Sequence, residues 1–550
     1  MLLRHLDRHA AELGPRPCLI HWQAESYNVL TYAQFAELSN RFAAAIKSRA
    51  TAGTSGVVFV IVKHRLMQLP LFVGCMRAGF IPSFLPFPSA KQDPDLYWRS
   101  HAEVIERTRP AAIVTYDDLI DGVAAIADKL GVPVLDIDHL DGEPETLSLP
   151  AEDSIALLQH SSGTTGLKKG VALTYRQIDR QVQSYVKTAG LDPSSIVVSW
   201  LPYYHDMGLF TAFVTPLSVG ATIVSFDAFE WVAQPDLLLR LIERFRGTHC
   251  WLPNFAFNHL VNTAPTDRRF DLTSVKSLVS CSEPVRSSTF DLFAARFEAE
   301  GAPRSKLRAC YAMAETCFAV SETPIGEGYE SVWYDAEGIE GAARAVRRPP
   351  ETPGSRPYVS NGEAIEGIDV RILADASAPL AAGVPVGEIL LRGEFVFSGY
   401  FGNDEMTRAA FHGEWYRTGD IGFIDNGQLF VTGRKKDVLI VHGRNYYAHD
   451  IEAVASSVPG IVPGRTVALG VMNELVGSEE AIILAETELS EMEHPALQRK
   501  VKQRVYGALE LTPKKVQLVP PGSLIKTTSG KISRSENLAR FLATTRSEAL

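Results

Sequence analysis

"HSSGTTGLKKGVALTY", residues His160 to Tyr175, gathers small hydroxyl residues, glycines and two lysines into one short window. Glycines permit positive φ and close backbone approach, hydroxyls and amides can surround phosphate oxygens, and a lysine supplies the compensating charge. The window follows the apolar run "SIALLQ" and precedes "VALTYRQIDRQVQSYVKTAG", which contains a helix-like stretch. It therefore reads as a phosphate-binding turn between a buried strand and a helix. The common NTPase loop needs GxxxxGK followed by Ser or Thr, and no frame meets it: Gly166 precedes Leu167 and Lys169 precedes Gly170. Taken alone, a flexible polar turn explains the same residues.

Outward from that window, apolar runs such as "SGVVFVIVK", "AAIVTY", "SIVVSWL" and "GATIVSF" alternate with helix-like stretches such as "TYAQFAELSNRFAAAIKSRA" and "PDLLLRLIERFRG". Strands buried on both faces and separated by helices predict layered α/β subdomains with mostly parallel sheets. From "GEILLRGEFVFSGYF" onward short strands dominate, and "GDIGFIDNGQLFVTGRKKDVLIV" reads as a hairpin turning at Asn426-Gly427. Residues 322–358 are rich in Gly, Pro and charge with little periodicity, and read as a long surface excursion.

The 550 residues exceed one domain of about 100–200 residues. Apolar residues at 46% and charged residues at 21% are globular values that leave little room for long disorder. A formal charge of -10 disfavours sequence-independent nucleic-acid binding, which draws on clustered Lys and Arg. The six cysteines show no CxxC pair and no zinc-like spacing, so buried reduced thiols are expected. "MLLRHLDRHAAELG" lacks the apolar core of a signal peptide, and "LPLFVGCMRAGFIPSFLPF" is broken by Arg77 and prolines. A cytoplasmic protein with no membrane span is the expectation.

Four further motifs follow in chain order: "YAMAE" (Tyr311 to Glu315), "YRTGD" (Tyr416 to Asp420), "GRKKD" (Gly433 to Asp437) and "TTSGKISR" (Thr527 to Arg534). With the opening window, this set resembles the adenylate-forming superfamily over essentially the whole chain. "SWLPYYHDMGL", "WLPNFAF", "SEPVR" and "GRNYYAHDIE" resemble its fatty acyl-AMP ligase branch. The 322–358 stretch falls where that branch carries an insertion thought to limit the rearrangement needed for transfer to CoA.

The resemblance implies a large N-terminal adenylation region, residues 1–436, and a small mobile α+β domain, residues 437–550. It implies attack of a carboxylate on the α-phosphate of ATP, giving acyl-AMP and pyrophosphate. Ser162, Gly163, Thr164, Thr165, Gly166 and Lys169 would hold the phosphates. Ser282, Glu283, Tyr311, Ala312 and Met313 would line the nucleotide, with Tyr311 against adenine or packed in the core. Asp420 would accept from the ribose hydroxyls and Arg434 would support it. Glu315 would ligate Mg²⁺, a hard cation that takes oxygen donors. Lys436 matches the hinge. Lys531 would stand between carboxylate and α-phosphate, and His205 would assist beside Asp206.

Several residues depart from the family pattern: Lys168 replaces a frequent proline, Cys281 and Ala312 replace glycines near the nucleotide, and Ala448 replaces a proline after the hinge. Such losses narrow the room for close backbone approach. The expected function is activation of a carboxylic, by family default fatty, acid, followed by transfer to the phosphopantetheine thiol of a carrier protein. Only nineteen residues follow Lys531, so that carrier is expected in trans. A CoA ligase with the same first step, or a divergent nucleotide-binding pseudoenzyme, remains open.

Overall fold

The computed structural model describes residues 1–51, 55–88, 94–144, 147–161, 169–340, 343–374, 382–441, 444–473, 478–526 and 531–548. Its largest sheet has nine strands. Pro17–Gln23, Thr222–Ser225, Ile196–Ser199, His249–Leu252, Ser277–Ser280 and Leu307–Ala312 lie parallel in that spatial order. Antiparallel strands flank them at both edges. A second sheet, Ile81–Phe84, Val57–Val60, Ala112–Thr115 and Val134–Asp136, is wholly parallel. The apolar runs are thus strands covered on both faces: Val57 to Val60 and Ala112 to Val114 are each at 0% exposure.

Helices form where the sequence starts them. Thr31 and Thr174 each close a capping box, with Gln34 and Gln177, at the head of Tyr32–Arg49 and Tyr175–Ala189. The second helix follows directly on Lys169–Thr174, the strand that leaves the opening window. Residues 162–168, which include Ser162, Gly163, Thr164, Thr165, Gly166 and Lys168, lie outside the described residues. The apolar stretch around Arg77 folds as the helix Gln68–Arg77 and the strand Ile81–Phe84. No helix among the described residues is long and apolar enough to cross a membrane.

After Ile368 the chain turns antiparallel, as the short-strand pattern predicts. Ile368–Leu373, Gly387–Gly393, Trp415–Asp425 and Gln428–Arg434 form most of a five-stranded sheet. Asn426 (φ 51°) and Gly427 (φ 80°) both take positive φ at its hairpin turn, the conformation that favours Asn-Gly there. Beyond Asp437 a separate core runs from Leu439 to Leu518. It lies under the three-stranded sheet Thr466–Asn473, Ser478–Glu486 and Lys515–Val519, with the helices Ala448–Ser456 and His494–Leu509.

Residues 322–358 are more ordered than their composition predicts. Ser331–Asp335 and Ser355–Val359 pair antiparallel, and Ala336–Glu340 is a short helix between them. Tyr334 and Ile339 are buried with Phe423 and Phe430, aromatic residues of the distant hairpin. The Tyr334 hydroxyl donates to Asp425 Oδ2 at 2.6 Å. Because its core partners come from another part of the chain, the segment shows no apolar periodicity of its own.

Candidate active site

Neighbouring parallel strands of the large sheet end at one place, where α/β sheets take their ligands. Past Ser199 the chain reaches His205 and Asp206; past Leu252, Phe255; past Ser280, Ser282 and Glu283; and at the end of Leu307–Ala312 lie Tyr311 to Glu315. Their proximity comes from strand order, which spacing along the chain does not reveal.

His205 precedes the short helix Asp206–Leu209, and its ring lies 5.0 Å from that of Tyr204. A Cβ on Gly208 would stand 2.2 Å from the Pro202 carbonyl oxygen, so glycine is needed for this turn to close. A π-helical stretch, Phe210–Val214, follows at once; such stretches often accompany functional sites. Burial holds the Asp206 carboxyl above the usual carboxylate range. The Met207 N–H, Lys531 and Arg434 pull it down, while Glu315 pushes it up. Asp206 thereby senses groups from three separate motifs.

Asp420 and Arg434 are cross-strand partners in the Asn426-Gly427 hairpin, so two motifs distant in sequence are the two sides of one turn. Arg434 Nε donates to Asp420 Oδ1 at 3.0 Å, and the Tyr311 hydroxyl donates to Oδ2 at 2.6 Å. Burial, then the Asp420 charge, drives the Tyr311 phenol well above its usual range, so it stays a neutral donor. Tyr311 is buried, with its hydroxyl on the carboxylate expected to meet ribose.

Glu315 sits in the 3₁₀ turn Ala314–Thr316, and its carbonyl accepts from the Phe397 N–H at 2.7 Å. The Tyr400 hydroxyl donates to Glu315 Oε1 at 3.0 Å; Oε2 has no hydrogen-bond partner among the described residues. Lys169 Nζ lies 5.0 Å from the centre of the Tyr400 ring, which links the end of the opening window to Glu315. Met313 is buried, and Ala312 lies beside a strand irregularity between Tyr311 and Ala312. Glu283 Oε2 accepts from the Phe255 N–H at 3.1 Å, a contact within the protein.

Lys531 reaches this site from the C-terminal unit: its Nζ donates to the Ser282 carbonyl at 2.9 Å. Ser282 has φ 67°, a left-handed conformation uncommon outside glycine, at the residue whose carbonyl meets the lysine. Lys436 is pulled down to about 8, by burial first and then by Arg434, with Lys169 adding to the effect. The Asp437 and Asp420 carboxylates push the other way, so burial remains the main cause.

Cys281 and Cys310 are both buried free thiols. Cys281 packs among the core residues.

Sequence reasoning missed the ion pairs that anchor the segment just after Lys531. Arg534, three residues on, donates to the Ala468 carbonyl at 3.0 Å and bridges Asp437 and Glu452, each at 2.7 Å. It ties the lysine's segment to the residue after Lys436. Asp450 meets Arg286 of the large region at 3.3 Å and lies 3.9 Å from Arg356 of the 322–358 segment, which also pairs with Glu340. Arg534 could have been singled out, because it closes the "TTSGKISR" motif; the Asp450 contacts carry no sequence signal.

Comparison with known proteins agrees with this architecture. A family model described as AMP-binding enzyme matches residues 6–401. The chain belongs to that family. It is 34% identical to the medium-chain-fatty-acid acyl-carrier-protein ligase JamA of Moorena producens, over 71% of this chain and 68% of that protein. It is 31% identical to the 4-hydroxyphenylalkanoate adenylyltransferase of Mycobacterium marinum, over 89% and 82%. A solved structure from studies of fatty acyl-adenylate ligases of E. coli and L. pneumophila superposes with TM-score 0.90 at 26% identity, covering 100% of this chain and 98% of that one. The chain is an adenylate-forming ligase by family and fold.

Proposed function

We propose that the protein activates a fatty acid with ATP to form acyl-AMP and pyrophosphate, then passes the acyl group to the phosphopantetheine thiol of a carrier protein. The observation that carries the reading is Lys531 Nζ at the Ser282 carbonyl, with the charges of Lys531, Glu315 and Arg434 all acting on the buried Asp206 carboxyl. The names of relatives that act on fatty acids and on an acyl-carrier protein support the substrate and acceptor classes.

In the first step a carboxylate oxygen attacks the α-phosphorus, and the bond to the bridging oxygen breaks to release pyrophosphate. Two anions must meet. At 4 Å two unit charges repel by about 4 kcal/mol at an effective dielectric of 20, so fixed cations have the most to contribute. Lys531 would bridge the carboxylate and the α-phosphate, while Lys169 and the 162–166 stretch would hold the departing phosphates. Asp420, steadied by Arg434 and Tyr311, would accept from the ribose hydroxyls. His205, Ser282, Glu283, Ala312 and Met313 would surround the adenylate.

Glu315 would hold Mg²⁺. One carboxylate with an oxygen unengaged among the described residues, completed by phosphate oxygens and water, is a donor set that this ion accepts. When bound, the ion would neutralise charge on the phosphates.

In the second step the thiol attacks the acyl carbon and AMP leaves. Residues 437–550 would act as a mobile domain turning at Lys436, withdrawing Lys531 as the thiol enters. The 322–358 segment meets that unit through Arg356 and Asp450, which supports restricted turning and a carrier protein over CoA. Acid-dependent ATP/pyrophosphate exchange tests the first step; no exchange with any of a series of fatty acids would overturn it. CoA and a holo carrier offered side by side test the second, and efficient acyl-CoA formation would overturn the choice of acceptor.

A further inference from the structure

Glu315 and Lys169 come from separate parts of the chain, and one short segment, residues 397–401, touches both. The Phe397 N–H donates to the Glu315 carbonyl at 2.7 Å, and the Tyr400 hydroxyl donates to Glu315 Oε1 at 3.0 Å. Backbone and side chain of the glutamate are thus held by the same segment. On its other side that segment pairs with the strand leaving the opening window. Gly399 and Tyr400 lie antiparallel to Ala172 and Val171, and the Phe401 N–H donates to the Gly170 carbonyl at 2.8 Å. A Cβ on Gly399 would stand 2.8 Å from Thr407 Cγ2, so glycine lets the chain close on Thr407, whose hydroxyl oxygen accepts from the Tyr400 N–H at 2.9 Å. Tyr400 is buried, its ring centre 4.9 Å from that of Phe397 and 5.0 Å from Lys169 Nζ. The negative face of such a ring attracts an ammonium without using up its N–H donors.

We propose that Tyr400 is a positioning residue for the ATP phosphates: its hydroxyl fixes the Glu315 carboxylate through Oε1 and leaves Oε2 for Mg²⁺, while its ring steadies the Lys169 ammonium. The inference rests on the nucleotide roles proposed above for Glu315 and Lys169. A glutamate and a lysine each lose side-chain freedom when they engage a ligand, and a single ring that restrains both beforehand lowers that cost. A hydrogen bond to a ligating carboxylate orients it, and losing such a partner costs about ten- to a hundredfold in metal affinity. Packing alone would need the ring and not the hydroxyl, and Phe397 fills the same apolar cluster without one. The buried hydroxyl is accounted for by its bond to Glu315.

The test is calorimetric titration of the full chain with ATP, once with Mg²⁺ and once with EDTA, in the absence of any acid, with Tm measured alongside. Tyr400→Phe keeps the ring over Lys169 and loses the donor. It should bind metal-free ATP within about twofold of wild type and lose about tenfold of the affinity that Mg²⁺ adds. Tyr400→Leu should lose the same gain and also weaken metal-free binding by about threefold. In a Glu315→Gln background, Tyr400→Phe should cause no further loss, because the hydroxyl acts through that carboxylate. A Tyr400→Phe protein with a lower Tm and the full Mg²⁺ gain would leave only packing and overturn the role, as would an undiminished loss in the Glu315→Gln background. Metal-free binding unchanged in Tyr400→Leu would overturn the part played by the ring. Wild type that binds ATP equally with and without Mg²⁺ would overturn the metal role of Glu315, and this one with it. Wild type that shows the gain yet exchanges no pyrophosphate with any fatty acid would overturn the reaction proposed above, while the variants still decide Tyr400.

Discussion

Asp420 and Lys531 carry opposite charges into one site, and the chain holds them in opposite ways. Asp420 is 6% exposed, its place fixed by hairpin register, and both its oxygens are engaged, by Arg434 and Tyr311. Lys531 is exposed, and its one hydrogen bond among the described residues crosses to the Ser282 carbonyl of the other unit. Asp420 thus sits in a wall that folding completes, while Lys531 arrives on a separately packed unit. The ion pairs joining that unit to the wall, Asp450 with Arg286 and Arg356, are part-exposed and individually weak. Such a division suits a two-step reaction, in which one group must leave before another can enter.

The comparison breaks most sharply at the lysine. Lys531→Ala should lower acid-dependent pyrophosphate exchange about a hundred- to a thousandfold, with Tm unchanged, as for other single donors aimed at developing charge. Near-normal exchange would remove the lysine from the reaction.

Arg534→Ala tests whether this residue positions Lys531 or only tethers its segment. It leaves the Asp437 and Glu452 carboxylates without their cation, at a cost of about 1–3 kcal/mol in unfolding measurements. If the residue positions Lys531, kcat should fall by roughly tenfold to a hundredfold with the KM for ATP little changed, and Arg534→Lys should restore part of it. Lost stability with unchanged kcat would leave a structural role only.

On the fixed wall, Tyr311→Phe removes one hydrogen bond from Asp420. A loss of about 1 kcal/mol corresponds to a KM for ATP raised roughly fivefold, with kcat nearly unchanged.

Lys436 stands where the two sides meet, and pH reads it out. In the free protein it loses its proton above about 8, so kcat/KM for ATP should fall through that value, and Lys436→Arg should remove the fall. The stability effect has the opposite sense. An unfolded lysine keeps its proton to about 10.5, so the unfolded chain binds more protons between about 8 and 10.5, and stability rises with pH over that window. Urea unfolding at both ends of the window should show the rise in wild type and its loss in Lys436→Gln.

The smallest effect belongs to the joint itself. Asp450→Asn removes part-exposed ion pairs worth under about 1 kcal/mol, so the ratio of acyl transfer to adenylation should shift by less than about fivefold. A larger shift would mean that the joint sets the balance between the steps.

The amino-acid sequence by itself determined the α/β layering, because strands buried on both faces read as unbroken apolar runs. It also determined the hairpin at Asn426-Gly427, because that pair accepts the positive φ the turn demands. Among the described residues, the ordered motifs include Tyr311, Asp420 and Arg434, which the structure joins by hydrogen bonds. Only the tertiary structure decided how they meet. Hairpin register joins Asp420 to Arg434, strand order places Asp206 near Glu315, and a contact between units sets Lys531 on the Ser282 carbonyl. It also turned the 322–358 segment from an excursion into a folded element, whose burial depends on Phe423 and Phe430 from elsewhere. It placed the Cys281 side chain among buried core residues. The physical reason is common to all of these: local pattern records a residue's own preference, whereas distance and burial belong to pairs of residues that folding brings together.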